Sequence, residues 1–215
     1  MLLEIFADLI CPWCYIGKHR LDKALSERPQ LAVDLHWLPF QLNPEMPAGG
    51  MDRFMYLAAK FGGIDRARQI YAIIEQTAAR DGIPLSLDKI RRTPNTMDAH
   101  RLVRLAERLG LAHELTMRLF EIYFREGQDI GDREVLAQAA GSIGIEADLA
   151  TEHLAGDADS AAVRASDGQA RQLGVQAVPC FIFNRRYAIA GAQEPPAFLP
   201  LFDLTEGEVP ASAGP

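Results

Sequence analysis

Two cysteines, Cys11 and Cys14, stand where a short apolar run meets a helical pattern near the start of the chain. The run at residues 2–7 predicts a strand, and Pro12 suits the first helical position, where a missing N–H costs nothing. A Cys-x-x-Cys pair at a helix N-terminus brings two sulfurs within reach of each other and favours the thiolate of the first. The pattern therefore predicts a strand–turn–helix unit that carries a dithiol/disulfide pair.

Two other interpretations of the cysteine pair stay open from the residues alone. A structural zinc site needs four ligands, and the chain adds only Cys180 and five histidines without His-x-x-x-His spacing. A site of three cysteines and one histidine is still arithmetically available, and a pair of inert cysteines is the third interpretation. Redox chemistry is the hypothesis we favour, and we predict no metal site.

Composition narrows the class of protein. Apolar residues make up 48% and charged residues 24% of the 215-residue chain, which is ordinary for a globular protein. A net charge of −7 argues against a nucleic-acid partner, since phosphate binding needs a basic surface. No basic leader and no apolar run of about 18 residues is visible, so we predict no membrane association and a cytoplasmic location.

The order of predicted elements indicates an α/β unit interrupted by helices. Val33, Leu35 and Trp37 alternate with other residues and predict a second strand after the first helix, and strand patterns return at residues 178–183 and 187–190. Between them the periodicity is helical, at residues 52–61, 65–80, 96–109, 113–126, 133–143 and 147–154. We expect an α/β unit formed by residues 1–47 and 158–205, an inserted helical domain at 48–157, and a disordered tail at 206–215.

Four stretches resemble the DsbA-like oxidoreductases, and in particular their FrnE-like branch. That branch is similar to the hydroxychromene-carboxylate isomerases and the kappa-class glutathione transferases. The resemblance implies an α/β, thioredoxin-like fold with a large all-helical insertion. It extends from Leu2 to about Leu201 and is carried by residues 11–18 (CPWCYIGK), 39–44 (PFQLNP), 95–102 (NTMDAHRL) and 174–179 (GVQAVP).

The resemblance also implies a cis peptide bond between Val178 and Pro179, in a loop beside the redox pair. That loop is expected to offer the Val178 backbone to a substrate chain, with Pro12 and Trp13 as further substrate contacts. From the residues alone, a trans proline at the start of an edge strand is the favoured interpretation. The cis-proline loop is therefore an expectation that depends on the resemblance.

The predicted activity is thiol–disulfide exchange, either as an oxidoreductase or as an isomerase. We expect Cys11 to be exposed at the helix N-terminus as the nucleophile, and Cys14, one turn further, to resolve the mixed disulfide. Asp8 and His100 are candidate supporting residues. In an alternating strand Cys180 points to the opposite face from Phe181 and Phe183. We expect it to be a buried small apolar residue, and a regulatory or resolving thiol near the pair is the alternative.

Protein or peptide thiols and disulfides are the predicted partners. No cofactor is predicted, and glutathione is the candidate co-substrate. A glutathione-dependent small-molecule isomerase or transferase is one alternative, although a complete Cys-x-x-Cys pair argues against it because that chemistry needs no resolving thiol. A holdase-type chaperone that uses the helical insertion is the other alternative. The sequence is compatible with a monomer or a homodimer.

Overall fold

A four-stranded mixed sheet forms the centre of the computed structural model, which describes residues 1–211. Its strands are β1 (Leu2–Ala7), β2 (Asp34–Pro39), β5 (Cys180–Phe183) and β6 (Tyr187–Ala190), in the order β2-β1-β5-β6. β1 is parallel to β2 and antiparallel to β5, which pairs with β6 in a hairpin. The apolar run therefore becomes a central strand, which explains why nearly all of its residues are buried.

The α-helices are divided between the α/β unit and the insertion, which contains six of them. The unit contains α1 (Pro12–Ser26), α8 (Ser160–Gln172), a 3-10 turn (Pro195–Ala197) and α9 (Leu199–Thr205). The insertion contains α2 (Arg53–Phe61), α3 (Ile64–Arg80), α4 (Met97–Arg108), α5 (Ala112–Glu121), α6 (Arg133–Ser142) and α7 (Ala147–Ala155). None of the helices within residues 1–211 combines the length and apolarity needed to cross a bilayer.

One apolar core continues from the α/β unit into the insertion. Tyr15 of α1 packs against Phe120 of α5 and against Phe124, which lies in the segment directly after α5. On the face of the sheet lined by alternate residues of β5, Phe181 contacts Phe198 near the start of α9. The insertion is thus packed directly against the helix that carries the cysteine pair.

The expectation of no strand in the insertion was wrong. A two-stranded antiparallel ribbon joins β3 (Met51–Asp52) to β4 (Arg92–Thr93). Strands of two residues are too short to show alternation in a sequence, which is why the pattern contained no signal for them. The helix predicted at residues 113–126 also ends differently, because its last turn is a π-helix (Ile122–Glu126).

The end of the chain differs in part from the expected disordered tail. Residues 206–211 follow α9 and return to the β5–β6 hairpin, where the Ala211 N–H donates to the Asn184 carbonyl at 2.9 Å. The hydroxyl of Tyr187 also lies 3.3 Å from a carboxylate oxygen of Glu208. Residues 212–215, which complete the predicted tail, lie outside the described residues.

Candidate redox site

The cysteine pair occupies the N-terminus of α1. Cys11 is the N-cap residue, with extended backbone angles (φ −88°, ψ 110°), and its carbonyl accepts hydrogen bonds from the N–H groups of Cys14 at 3.0 Å and Tyr15 at 3.4 Å. Pro12 lies in the first turn, where it removes no hydrogen bond. The helix N-terminus therefore points its free N–H groups and positive end toward the first sulfur.

A loop from the other end of the sequence lies against Cys11. The peptide bond between Val178 and Pro179 is cis, and the Cys11 thiol donates a hydrogen bond to the Val178 carbonyl, with a sulfur–oxygen distance of 3.5 Å. The loop is tied to the end of β6, because the Gly191 N–H donates to the Pro179 carbonyl at 2.7 Å. Residues far apart in the sequence are thus placed around one sulfur atom.

Cys11 is less accessible than we expected. Only 4% of its surface is exposed, because the Val178 carbonyl lies over its sulfur and the surrounding apolar residues enclose it. Pro12 and Cys14 are buried as well, whereas Trp13 is half-buried. Trp13 is therefore the residue of the CPWC stretch with the most surface available to a substrate.

Gly17 allows α1 to approach the loop closely. A Cβ atom on this residue would lie 2.8 Å from Cγ of Pro179 and 3.3 Å from Cζ of Phe181. Contacts under about 3 Å between carbon atoms are strongly repulsive, since the optimal separation is about 3.5–4.0 Å. The absence of a side chain at Gly17 thus sets the distance between the cysteine helix and the cis-proline loop.

Cys14 is a buried thiol whose surroundings disfavour its ionisation. Burial raises the pKa of the Cys14 thiol well above its ordinary value, and the hydrogen bond and negative charge of Cys11 raise it further. A backbone hydrogen bond from Asp8 opposes these effects only in part. Cys14 therefore keeps its proton under conditions in which an ordinary thiol begins to ionise.

Asp8 and His100 meet behind the cysteine pair. The Asp8 side chain is fully buried, and its Oδ2 accepts a hydrogen bond from the Leu42 N–H at 2.7 Å. Its Oδ1 lies 3.5 Å from Nε2 of His100, but the geometry there is too poor for a hydrogen bond. The structure therefore brings both candidate supporting residues together and leaves one polar atom on each without a partner.

A cavity that His100 lines contains further polar atoms without hydrogen-bond partners. This small, mainly apolar cavity separates β2 from α4 and α5, and Nε1 of Trp37 and Oγ1 of Thr116 are both buried there without a hydrogen bond. His100 also lines this cavity. Of these three polar residues, only His100 was a candidate site residue from the sequence, through the stretch 95–102. The unpartnered polar atoms of Trp37 and Thr116 were missed.

Sequence reasoning also missed a buried arginine on the other side of the site. Arg53, at the start of α2, lies among the hydroxyl groups of Thr93, Tyr71 and Tyr123. A single arginine at a helix start has no periodic or motif signal, so the sequence offered no indication of its burial.

Cys180, like Cys11 and Cys14, is a free thiol in this structure. It is buried at the start of β5, and burial raises the pKa of its thiol. The expectation of a buried small apolar residue is confirmed. Within residues 1–211, no group of three or more His, Cys, Asp and Glu side chains is arranged to hold a metal ion.

A known protein family matches the part of the chain that contains this site. The model of the DSBA-like thioredoxin domain matches residues 2–202, which include both the cysteine helix and the returning strands. The chain belongs to this family. The expected thioredoxin-like α/β fold with a helical insertion is thereby confirmed.

Individual relatives give the same result. A probable DsbA oxidoreductase, SCO1869 from Streptomyces coelicolor, superposes with a TM-score of 0.86 and 29% identity, over 100% of this chain and 94% of that one. The cytosolic disulfide reductase DsbM from Pseudomonas aeruginosa, solved with GSH, has a TM-score of 0.62 and 22% identity over 94% of each chain, and shows the fold alone.

A curated relative, the uncharacterized protein YwbO of Bacillus subtilis (strain 168), is 25% identical over 146 residues. The match covers 67% of this chain and 66% of that protein, slightly less than two thirds of its length. Family membership supports a thiol oxidoreductase in general terms.

Proposed function

We propose that the protein is a thiol–disulfide oxidoreductase or isomerase that exchanges disulfides through Cys11 and Cys14. The observation that carries the proposal is the contact between the Cys11 sulfur and the Val178 carbonyl at 3.5 Å, at the N-terminus of α1. A thiol in that position contacts the Val178 carbonyl, a backbone group to which a bound peptide can also hydrogen-bond. Cys14 lies one helical turn further along α1. Pro12, Trp13, Val178 and Pro179 are the proposed substrate contacts.

In the reducing direction, the Cys11 thiolate attacks one sulfur of the substrate disulfide. The substrate S–S bond breaks, a mixed disulfide with Cys11 forms, and the departing thiolate takes up a proton. Cys14 then loses its proton and attacks the Cys11 sulfur, which releases the second substrate thiol. Two electrons have moved to the substrate, and the protein is left with a Cys11–Cys14 disulfide. The oxidising direction reverses these steps.

Asp8 is the proposed acceptor of the Cys14 proton, with His100 beside it as a positioning residue. The carboxylate is buried, and one of its oxygens has no hydrogen-bond partner, so that oxygen is available to a proton. Asp8 also lies next to the cysteine pair, because its carbonyl accepts a hydrogen bond from the Cys11 N–H at 3.0 Å. The other carboxylate oxygen holds the loop at Leu42 in place.

Protein or peptide thiols are the proposed substrates, and the cytoplasm is the proposed location. The solved relative from P. aeruginosa is described as a cytosolic disulfide reductase and was crystallised with GSH, which motivates glutathione as a co-substrate to test. In a reducing compartment, a reductase or isomerase has more use than a strong oxidant.

The decisive experiment is a redox titration of the intact chain in defined glutathione buffers, with free thiols trapped and counted by mass. We expect three thiols in the reduced protein and one, Cys180, in the oxidised protein, because Cys180 is buried apart from the pair. A potential below that of the glutathione pool indicates a reductase, and a higher one indicates an oxidase or isomerase. Failure to lose two thiols reversibly contradicts the proposal.

A further inference from the structure

Arg53 is a buried cation whose partners are all neutral. Only 7% of the residue is exposed. Its guanidinium donates hydrogen bonds to Oγ1 of Thr93 at 3.0 Å, to the Tyr123 hydroxyl at 3.3 Å and to the Tyr71 hydroxyl at 2.6 Å. It also stacks over the rings of Tyr71, at 5.1 Å, and Tyr56, at 5.7 Å. The charge is therefore solvated by hydroxyl groups and aromatic faces.

Within residues 1–211, no carboxylate forms an ion pair with this guanidinium. Its hydrogen bonds to these residues all come from Nη1 and Nη2, and none comes from Nε. Buried arginines are usually paired with a carboxylate, because an unpaired charge is expensive to remove from water. By contrast, Arg20, another buried arginine of this chain, has two such partners, Asp81 at 2.5 Å and Glu194 at 2.9 Å. Arg53 thus carries a buried positive charge that no carboxylate of the described residues neutralises by direct contact.

A short series of contacts joins Arg53 to the redox pair. The Tyr56 hydroxyl, beside the guanidinium, accepts a hydrogen bond from Nδ2 of Asn43 at 3.1 Å. The neighbouring N–H, that of Leu42, donates to Asp8, whose own carbonyl accepts from the N–H of Cys11 at 3.0 Å. The arginine cluster therefore lies along one side of the same site, and it is held there by the loop at residues 40–43.

Electrostatic effects agree with this placement. Burial is the main cause that raises the pKa of Tyr56 and of Tyr71, and the negative charge of Cys11 raises both further. Arg53 lowers the pKa of each tyrosine. Asp8 also raises the pKa of Tyr56, so the redox site is close enough to these tyrosines to act on them electrostatically.

We propose that Arg53, with Tyr56 and Tyr71, forms a subsite for a carboxylate group of the disulfide substrate. The inference rests on the proposed function and specifies which disulfides the site favours: those with a carboxylate a few bonds from the reacting sulfur, as in glutathione disulfide or in a peptide with an acidic residue beside its cysteine. The planar guanidinium matches a carboxylate in shape and offers parallel N–H groups. Lys60, which contacts Asn43 at 3.3 Å, adds positive charge at the rim.

The first test uses the reduced wild-type protein and follows its oxidation by small disulfides. Glutathione disulfide is compared with its diester, in which the glycine carboxylates are blocked, and with neutral hydroxyethyl disulfide. Each rate is divided by that for 2-mercaptoethanol with the same disulfide, which removes differences in intrinsic reactivity. We expect the normalised rate for glutathione disulfide to exceed that of the neutral hydroxyethyl disulfide by roughly tenfold. Acidic and amide versions of one peptide disulfide, Asp against Asn beside the cysteine, distinguish a peptide source of the carboxylate from glutathione.

The second test uses Arg53→Gln and Arg53→Lys, with Arg68→Gln as the matched control. Arg68 is exposed on α3 and pairs with Asp65, so its substitution changes the net charge equally and leaves the cluster intact. We expect Arg53→Gln to lose the preference for the carboxylate disulfides, with rates toward hydroxyethyl disulfide within about twofold of wild type. Arg53→Lys should keep part of the preference, because it keeps the charge without the planar geometry.

Three results would overturn the inference while leaving the proposed function intact. One is equal normalised rates for acidic and neutral disulfides in the wild type, which requires no variant and so holds even if Arg53→Gln does not fold. Another is an equal loss toward all disulfides in Arg53→Gln, which indicates a general electrostatic effect on Cys11. The third is the same loss of preference in Arg68→Gln. Absence of exchange with every disulfide instead contradicts the proposed function.

Discussion

The α/β unit and the helical insertion contribute different kinds of groups to the site. The α/β unit supplies the two sulfurs of Cys11 and Cys14 and the backbone carbonyl of Val178, which are positioned by a helix start and a loop. The insertion supplies side chains with charge or hydrogen-bonding capacity, His100 and Arg53, which lack a carboxylate partner in full contact. The difference teaches that one short motif places the two sulfurs, whereas the groups that surround them come from distant parts of the chain.

The two regions are joined by a few polar contacts in addition to their common core. Where the insertion ends, the Arg101 guanidinium of α4 donates to the carbonyl of Ala158, the first residue of the returning α/β unit, at 2.6 Å, and to those of His153 and Gly156, still in the insertion, at 2.7 Å. At the sheet edge, His36 of β2 contacts Glu107 of α4 at 3.1 Å. These contacts provide ways to disturb one region and measure the other.

The largest expected effect separates the two cysteines within the α/β unit. Cys14→Ser should reduce turnover by at least about 10³-fold, because the intramolecular resolving step is lost, and should accumulate a mixed disulfide on Cys11. Mass spectrometry after exposure to a disulfide measures the trapped species. Cys180→Ser is the control and should keep turnover within about twofold of wild type, since that thiol is buried outside the pair. Full turnover in Cys14→Ser would show that one thiol is sufficient and would favour glutathione-dependent chemistry.

The next effect tests how firmly α4 holds the segment in which the insertion ends and the α/β unit resumes. Arg101 is only 2% exposed, and Arg101→Met removes its hydrogen bonds to three carbonyls and its ion pair with Asp98, so we expect a loss of roughly 3 kcal/mol in the free energy of unfolding. Urea denaturation measures it. Arg108→Met, on the same helix but exposed, removes an ion pair with Asp159 and should cost under about 1 kcal/mol. Similar losses of unfolding free energy in both variants would mean that the contacts of the buried Arg101 stabilise the fold no more than an exposed ion pair does.

A smaller effect concerns the distance between α1 and the cis-proline loop. Gly17→Ala places a methyl group 2.8 Å from Pro179, so we expect a cost of about 1–3 kcal/mol and slower exchange with hydroxyethyl disulfide. Gly141→Ala, in α6 with open space around it, should be neutral or stabilising by up to about 1 kcal/mol. Equal exchange rates in the two variants would show that the close approach at Gly17 has no part in the reaction.

The smallest expected effect is a pH dependence at the edge between the regions. Burial alone lowers the pKa of His36, but hydrogen bonds with Glu107 and Asp34 outweigh it and raise the pKa above the ordinary value. A raised pKa in the folded state means that the stabilisation is complete below about pH 6.5 and is lost as the pH rises through the folded-state pKa. Because the side chain is 37% exposed, the effect should stay under about 1 kcal/mol.

His36→Gln tests this directly. The stability difference between wild type and variant should be larger near pH 5.5 than near pH 8.5, and urea denaturation at both values measures it. A difference that does not change with pH would mean that the imidazolium contacts contribute nothing. High salt should reduce the effect, because the contacts are partly exposed to water.

Much of the fold was predictable because its signals are local. The bounds of β1 and β6 and the start of α1 follow from short apolar runs and from Pro12 in the first helical turn. The ribbon of β3 and β4 was not predictable, since two-residue strands carry no period. The burial of Cys11 was not predictable either, because a carbonyl more than 160 residues away in the sequence covers it.

The site shows the same limit. Asp8 and the cysteines were accessible to sequence reasoning because they lie within seven residues of one another. Arg53 became visible only from its surroundings, since its burial depends on hydroxyl groups contributed by β4, α3 and the π-helix. Contacts between distant elements are set by packing, and no single stretch of sequence records them.

The hydrogen bond between Ala211 and Asn184 determines the side of the protein from which a tag or fused domain would extend. Asn184 also bonds the backbone of Leu2, at the start of β1, whereas the cysteine helix follows the opposite end of that strand. A six-residue strand is about 17 Å long from first to last Cα, so residue 211 and the CPWC stretch leave the sheet from opposite ends. A tag, surface linker or fused domain placed after residue 211 would therefore present the redox face outward, toward the solution and its substrates.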